Sequence, residues 1–515
     1  MTSELHVPAH LQWQNLLAKA AEVTPEGFAG DRARNLVDGE WSDAGEPAMT
    51  TTPVDGSNLL KLSMLDAEQA ADAVRRAAAQ HAEWARTPLS ERKEKVAAAV
   101  AAMTEHRELL AHLLMWEIGK PWKAAAADVD RALSGASWYL DEIDGMLAPA
   151  RGPLQGPVSN IASWNYPMSV LVHAELVQLL AGNAVIAKTP TQGGGVCLTV
   201  AHELMRREGL PVTLLSGRGA QLSEVLVRSD LIGAVAFVGG RDVGGQVAAQ
   251  LVDTSKRHML EMEGLNAWGV WEFSQWDTLT AHIKKGFEYG KQRCTAYPRF
   301  VVQRKLVDKF LDAYLPVVRS IAIGHPLGAT GDDGQLPELD YGPLISAAKA
   351  AELHQHVEEA LDGGAVPLHR GALDPARFLP GQNTDAYVAP VTLLAPPGSA
   401  KLMHAEPFGP VDTIVVVDTE AELLAAMNAS NGALVASIAC DDEDLARKLG
   451  DEVQAFKVGI NKPRSRGDKA EPFGGVGASW KGAFVGGEFL VHAVTDVDDD
   501  HLYGNFPSYR RYPAT

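Results

Sequence analysis

Cysteine is scarce in this chain: three thiols, Cys197, Cys294 and Cys440, in 515 residues. Three cannot build a disulfide framework, and the count fits a reducing compartment. Long apolar runs are lacking too. The most apolar stretch, 170–187, is interrupted by His173, Glu175, Gln178 and Asn183, which argues against a membrane span. The start, MTSELHVPAH, has no basic segment leading into an apolar one, so no signal peptide is expected and the expected location is cytoplasmic. Positive charge is in deficit, with a net charge of −19. Like charge repels nucleic acid and anionic membrane, so neither is expected as a partner. Internal repeats, low-complexity tracts and long linkers are absent, and no metal is expected.

The composition is that of a globular protein, 46% hydrophobic and 22% charged, and the length suits two or three domains. The first ~60 residues read as irregular, with strand fragments and turns such as Asp55-Gly56. Asp66 is a good N-cap for a helix over 67–85. Pro88-Leu-Ser90 breaks that helix, 91–119 resumes it, and 124–147 forms a third. From Val158 short apolar runs at 158–161, 184–187, 212–215 and 234–238 alternate with helical stretches at 173–180, 195–208, 220–228 and 244–251. Alternation of this kind specifies a parallel sheet with right-handed crossovers. A second α/β unit begins near Ala267, with strands at 300–302 and 413–417 and helices at 305–321 and 347–361.

Three residues could carry chemistry. Cys294, in Gly290-Lys-Gln-Arg-Cys-Thr-Ala-Tyr-Pro-Arg299, stands before an apolar run, where a turn can present a thiol to a cleft. Lys291 and Arg293 are cations close enough in sequence to favour the thiolate. A single cysteine is more often a small buried side chain, and that reading stands beside the first. Glu261 sits among apolar residues in His258-Met-Leu-Glu-Met-Glu-Gly-Leu-Asn266. It is either a costly buried carboxylate fit for general-base work or an exposed strand-end glutamate. Asn165, in Ala162-Ser-Trp-Asn-Tyr-Pro167, is either an amide donor for an oxyanion or a turn-former before Pro167.

Taken in order, Ser-Trp-Asn-Tyr-Pro167, Gly-Asn-Ala-Val-Ile-Ala-Lys188, Phe-Val-Gly-Gly240, Leu-Glu-Met-Glu-Gly264, Gln-Arg-Cys294, Glu-Pro-Phe-Gly-Pro410 and Pro-Phe-Gly-Gly475 resemble the aldehyde dehydrogenase superfamily. The resemblance runs from about Leu36 to Val494. It implies an α/β fold: a Rossmann-like cofactor domain (1–143 and 155–259), a catalytic α/β domain (260–482) and a small β oligomerisation unit (144–154 and 483–515). It implies a homodimer or homotetramer. It also implies NAD(P)-dependent oxidation of an aldehyde, with Cys294 as nucleophile, Asn165 as oxyanion donor and Glu261 activating the hydrolytic water. NADP or NAD would be held by Ile161, Ser163, Trp164, Lys188, Gly217, Gly239, Gly240, Met262, Glu406 and Phe408. Thr191 stands where NAD-preferring members often carry Glu. A hydroxyl there can donate to a 2′-phosphate that a carboxylate would repel, so NADP is expected to be accepted.

Gly240, Glu263 and Pro298 depart from the usual pattern and mark a diverged branch. Arg464 and Arg466 fall in a loop at the family's substrate mouth, Arg293 adjoins the nucleophile, and His173 lies on the tunnel helix. Together they suggest an anionic semialdehyde, because a guanidinium pairs well with carboxylate or phosphate; a solvated basic loop is the alternative. The rival functions are CoA-acylating dehydrogenation, which relatives lacking the glutamate commonly perform, and a non-catalytic scaffold.

Overall fold

The computed structural model describes residues 5–330, 334–430, 432–465 and 469–503. The chain divides into two compact units, one spanning Val7–Leu260 with the segment from Lys481, the other built on Glu261–Trp480.

The first unit is organised around an eight-stranded sheet. Its centre is parallel: Ala234–Gly239, Val158–Ile161, Val185–Lys188 and Val212–Leu215 lie side by side in that order. Val185–Lys188 and Val212–Leu215 are buried at every position, as expected where helices cover both faces of a parallel sheet. The hairpin Asn35–Val37 and Glu40–Ser42 extends one edge antiparallel through Leu36 and Leu214. The strands Val158–Ile161, Val185–Lys188 and Val212–Leu215 fall where alternation placed them, displaced by one residue at most.

Two expectations for this unit need correction. The N-terminal region is not irregular: it holds the helix Trp13–Val23 and a four-stranded sheet. Its short strands, two to seven residues long, carry little periodic signal. The helix expected over 91–119 is two helices, Leu89–Glu105 and Arg107–Ile118, because His106 takes a non-helical φ/ψ of −101°/14°. The Asp66 cap is present as a full capping box with Gln69, whose side chain returns a bond to the Asp66 backbone. The described parts of the segments assigned to oligomerisation meet each other: Pro153 bridges Thr495, and Arg151 pairs with Asp496 and Asp498.

The second unit holds a seven-stranded sheet, ordered Val366–Arg370, Val391–Leu394, Val411–Val417, Arg299–Gln303, Ala267–Val270, Val435–Ala439 and Lys457–Ile460. All neighbours are parallel except the exposed edge strand Val366–Arg370. Leu423, Ile438, Ala446 and Leu449 pack a core against one end of this sheet. Among the described residues no helix is long and apolar enough to cross a membrane.

Candidate functional site

Cys294 is delivered by an unusual turn. Tyr289, Gly290 and Lys291 have φ of 57°, 61° and 59°, three consecutive left-handed residues. Such backbone is unfavourable for non-glycine residues and persists only when its surroundings hold it. Here they do. Tyr289 N–H donates to Asp340 O at 2.9 Å. The Gln292 amide donates to Pro343 O and accepts from Ile345 N–H. The Lys291 ammonium, fully buried, donates to Asp412 Oδ1 at 2.5 Å and to Tyr297 O at 3.0 Å. Burial lowers its pKa, and the Asp412 charge opposes that shift. Beyond the cysteine, Asn266 donates to Cys294 O at 2.8 Å and Ala296 O at 2.7 Å, and accepts from Leu434 and Val435 N–H. One buried amide thus ties the nucleophile's segment to the strand Val435–Ala439.

The thiol so held meets a carboxylate. Cys294 Sγ lies 2.9 Å from Glu261 Oε1. Glu261 is 2% exposed, at the end of the strand Arg257–Met262, where Met259, Leu260 and Met262 are also buried. Cys294 is half-buried, whereas Cys197 and Cys440 are buried. A partly accessible thiol in hydrogen-bond reach of a buried carboxylate is an arrangement for nucleophile and base.

A family model, that of the aldehyde dehydrogenase family, matches residues 41–498. The chain belongs to the aldehyde dehydrogenase family. As a member it is an oxidoreductase acting on the aldehyde group. Its relatives include the NADP-dependent glyceraldehyde-3-phosphate dehydrogenase of Pisum sativum, 27% identical over 501 residues, covering 92% of this chain and 95% of that protein. N-succinylglutamate 5-semialdehyde dehydrogenase 1 of Caulobacter vibrioides is 30% identical over 467 residues, covering 87% of this chain and 95% of that one. Among solved structures, NADP-dependent glyceraldehyde-3-phosphate dehydrogenase from Bacillus halodurans C-125 complexed with NADP superposes with a TM-score of 0.81 at 26% identity, covering 90% of this chain and 98% of that one.

In this aldehyde dehydrogenase the other expected residues fall as follows. Asn165 is 4% exposed, and Ser163 Oγ donates to its Oδ1 at 2.6 Å. That bond fixes which end of the amide accepts: the oxygen takes the Ser163 hydroxyl. Ser163, expected on the cofactor, therefore also serves Asn165. Ile161 ends the strand Val158–Ile161, with Trp164 three residues on. Lys188 ends the next strand and is 6% exposed; burial pulls its pKa down to about 8. Its Nζ donates to Thr189 O at 2.8 Å. Thr191 is exposed beyond it.

The glycines differ among themselves. A Cβ at Gly217 would lie 2.3 Å from Leu222, and one at Gly239 2.6 Å from the Phe237 ring, so both are required by the protein's own packing. Gly240 faces open space and precedes the helix Arg241–Leu251, which has no side-chain cap. Free N–H groups at an uncapped helix start with an open approach fit a pyrophosphate. The buried Lys188 at a strand's carboxyl end fits a ribose. The residues present thus suit a dinucleotide. In the second unit, Met262 and Glu406 are buried and Phe408 takes a left-handed φ of 49°.

The cations expected around the thiol and substrate have other partners. Lys291 is neutralised by Asp412, so it does not favour the thiolate as expected. Arg293 reaches back to Gly286 O and Lys285 O, carbonyls in the last turn of the helix Trp276–Gly286. Arg464 is buried against Glu471, which Lys457 also holds at 2.7 Å. Arg466 lies outside the described residues. His173 packs on Gly135, where a Cβ would come within 2.6 Å of its ring, and lies 5.6 Å from the Tyr139 ring. Asn266, Gln292 and Asp412 were not singled out from sequence. For Asn266 and Asp412 the signal was a polar side chain inside an apolar run, Leu-Asn-Ala-Trp268 and Pro-Val-Asp-Thr-Ile-Val415; Gln292, in Gly-Lys-Gln-Arg-Cys294, carried no such signal.

Proposed function

We propose that the protein oxidises an aldehyde to a carboxylic acid through a thioester on Cys294, hydrolysed by water activated by Glu261. The observation that carries this reading is the 2.9 Å contact between Cys294 Sγ and Glu261 Oε1. The thiol proton passes to the carboxylate as sulfur attacks the carbonyl carbon. The Asn165 NH2 stabilises the oxyanion of the resulting thiohemiacetal. NADP or NAD, which Lys188 and the start of the helix Arg241–Leu251 would hold, would supply the two-electron acceptor for oxidation of this adduct to a thioester. Glu261 then gives up the thiol's proton to solvent and, as carboxylate again, takes a proton from water; the hydroxide attacks the thioester, and Cys294 leaves as thiolate. A buried glutamate serves both proton transfers, which splits one hard displacement into two easier ones.

Rapid mixing tests this. Glu261→Gln should give a burst of reduced cofactor near one per subunit and then stall, with turnover down ~10²–10³-fold. Coenzyme A restoring that turnover would favour the acylating rival, and unimpaired steady-state turnover would remove Glu261 from the mechanism.

The cofactor is NADP or NAD, with NADP accepted through Lys188 and Thr191. The names of the relatives support a substrate aldehyde bearing phosphate or carboxylate. With Arg293 and Arg464 engaged elsewhere, Arg464 would act through the loop it anchors. Replacing it with Ala should raise KM for an anionic aldehyde more than for a matched neutral one; equal effects exclude that role. The paired segments at Pro153 and Thr495 support homo-oligomer assembly through 144–154 and 483–515, which light scattering of the intact chain would refute by finding a monomer.

A further inference from the structure

Between Lys188 and the helix Gly195–Arg207 the chain makes a short loop whose tip, Thr191-Gln192, is exposed. Both ends of that tip are fixed. On the strand side, Thr189 N–H donates to Leu215 O at 2.8 Å and Thr189 Oγ1 to Ser216 Oγ at 2.9 Å. On the helix side the chain has no cap of its own: Gly194, at the N-cap position with φ 78°, has no side chain to offer. The cap comes from another helix. Glu117, near the end of Arg107–Ile118, accepts from Val196 N–H at 2.8 Å and Cys197 N–H at 3.0 Å, one through each carboxylate oxygen. Gly193 is threaded over the same helix end. A Cβ there would stand 2.3 Å from Ile118 Cγ2 and 2.8 Å from Glu117 O, and its φ is +74°.

Glu117 is 2% exposed and burial pushes its pKa to about 7, so it is an expensive residue to keep for packing alone. Its charged neighbours already balance each other: Lys120 and Asp128, both fully buried, pair at 2.9 Å. What the carboxylate does is bind two backbone donors at the start of the helix that follows the tip, Val196 and Cys197. A glutamine of the same shape cannot replace it, because one of its two terminal atoms is itself a donor and would oppose an N–H.

We infer that Glu117 is a positioning residue for cofactor choice, holding the Thr191-Gln192 tip beside Lys188 so that a 2′-phosphate and a 2′-hydroxyl are distinguished there. The inference rests on the reading above that Lys188 and Thr191 face the adenosine ribose. Lys188 is fixed by its strand and serves both cofactors. The tip depends on Glu117 and serves the 2′-phosphate, so loosening it weakens NADP selectively.

Equilibrium binding of NADP and of NAD to the full-length protein, followed by calorimetry without turnover, tests this. Glu117→Gln should raise the Kd of NADP ~10-fold and that of NAD less than ~2-fold, with amide exchange at Val196 and Cys197 accelerated. Gly193→Ala, which disturbs the same contact from the loop side, should shift the ratio in the same direction and carries the test if Glu117→Gln does not fold. Parallel weakening of both cofactors, or no change in either, overturns the inference. Thr191→Glu separates the two layers. If it leaves the NADP/NAD ratio unchanged, the ribose reading fails. If it inverts the ratio while Glu117→Gln and Gly193→Ala leave it alone, only the role of Glu117 fails.

Discussion

The loop that carries Cys294 and the loop that follows Lys188 are both short and built on opposite principles. The first is tied down by side chains: Asn266, Gln292 and the Lys291–Asp412 pair bind it to neighbouring segments, and even its strained φ values are enforced. The second is held only at its ends, by Thr189 and Glu117, and its middle is exposed. On the proposed mechanism Cys294 must meet Glu261 within hydrogen-bond tolerance in every turnover, which a loop without slack provides. On the proposed cofactor reading the second loop must let a dinucleotide enter and leave, which an open tip between two fixed points allows.

The sharpest way to break this contrast is to remove the charge under the nucleophile's loop. Asp412→Ala would leave the Lys291 ammonium buried without its counterion and strip a bond from Tyr314, whose hydroxyl donates to Asp412 at 2.7 Å. Losing one partner of a buried pair costs about 3–5 kcal/mol, whereas replacing both by apolar residues is often neutral. Asp412→Ala should therefore lower the urea midpoint strongly and abolish turnover. Lys291→Met with Asp412→Leu should recover most of the stability but little of the turnover, since the apolar pair no longer fixes Tyr289–Lys291. Recovery of full activity in the double variant would show that the ion pair only fills space.

Much of this was legible in advance, and the limits have physical causes. The parallel sheet was readable because continuous apolar strands alternate with helices, and the ordered motifs singled out Cys294 and Glu261, whose side chains lie 2.9 Å apart. The partners of Lys291, Arg293 and Arg464 were not readable. A cation's position in sequence says where its Cα lies, while a long, flexible side chain chooses among several acceptors. Lys291 found Asp412, 121 residues on, and Arg464 found Glu471. Glu117 was hidden for the same reason: it caps a helix that begins 78 residues later, and no local pattern marks a cap supplied from elsewhere.

A smaller effect is expected at Asn165, where the bond from Ser163 orients the amide. Ser163→Ala frees that amide to turn, which should lower kcat ~10-fold, a fraction of what loss of an oxyanion donor costs. KM for the aldehyde should hold within ~2-fold, because the strand end stays in place. In an Asn165→Ala background the same change should do nothing further. Additive losses would mean that Ser163 acts on the cofactor or substrate and not through Asn165.

The gentlest probe is pH. Burial brings the Lys188 amine to about 8, so it is charged below that value and neutral above it. A 2′-phosphate carries nearly two negative charges above its second pKa of ~6 and draws more from a charged amine than a 2′-hydroxyl does. Raising pH from 7 to 9 should therefore weaken NADP more than NAD, and the loss should grow as pH passes 8. NADP binding near pH 8.5 should take up protons, because the phosphate raises the amine's pKa in the complex. Calorimetry in buffers of different ionisation enthalpy reads that uptake directly, and Lys188→Met should erase it. A ratio that stays flat across this range would place the 2′-phosphate away from Lys188, and the open tip would then have to read it alone.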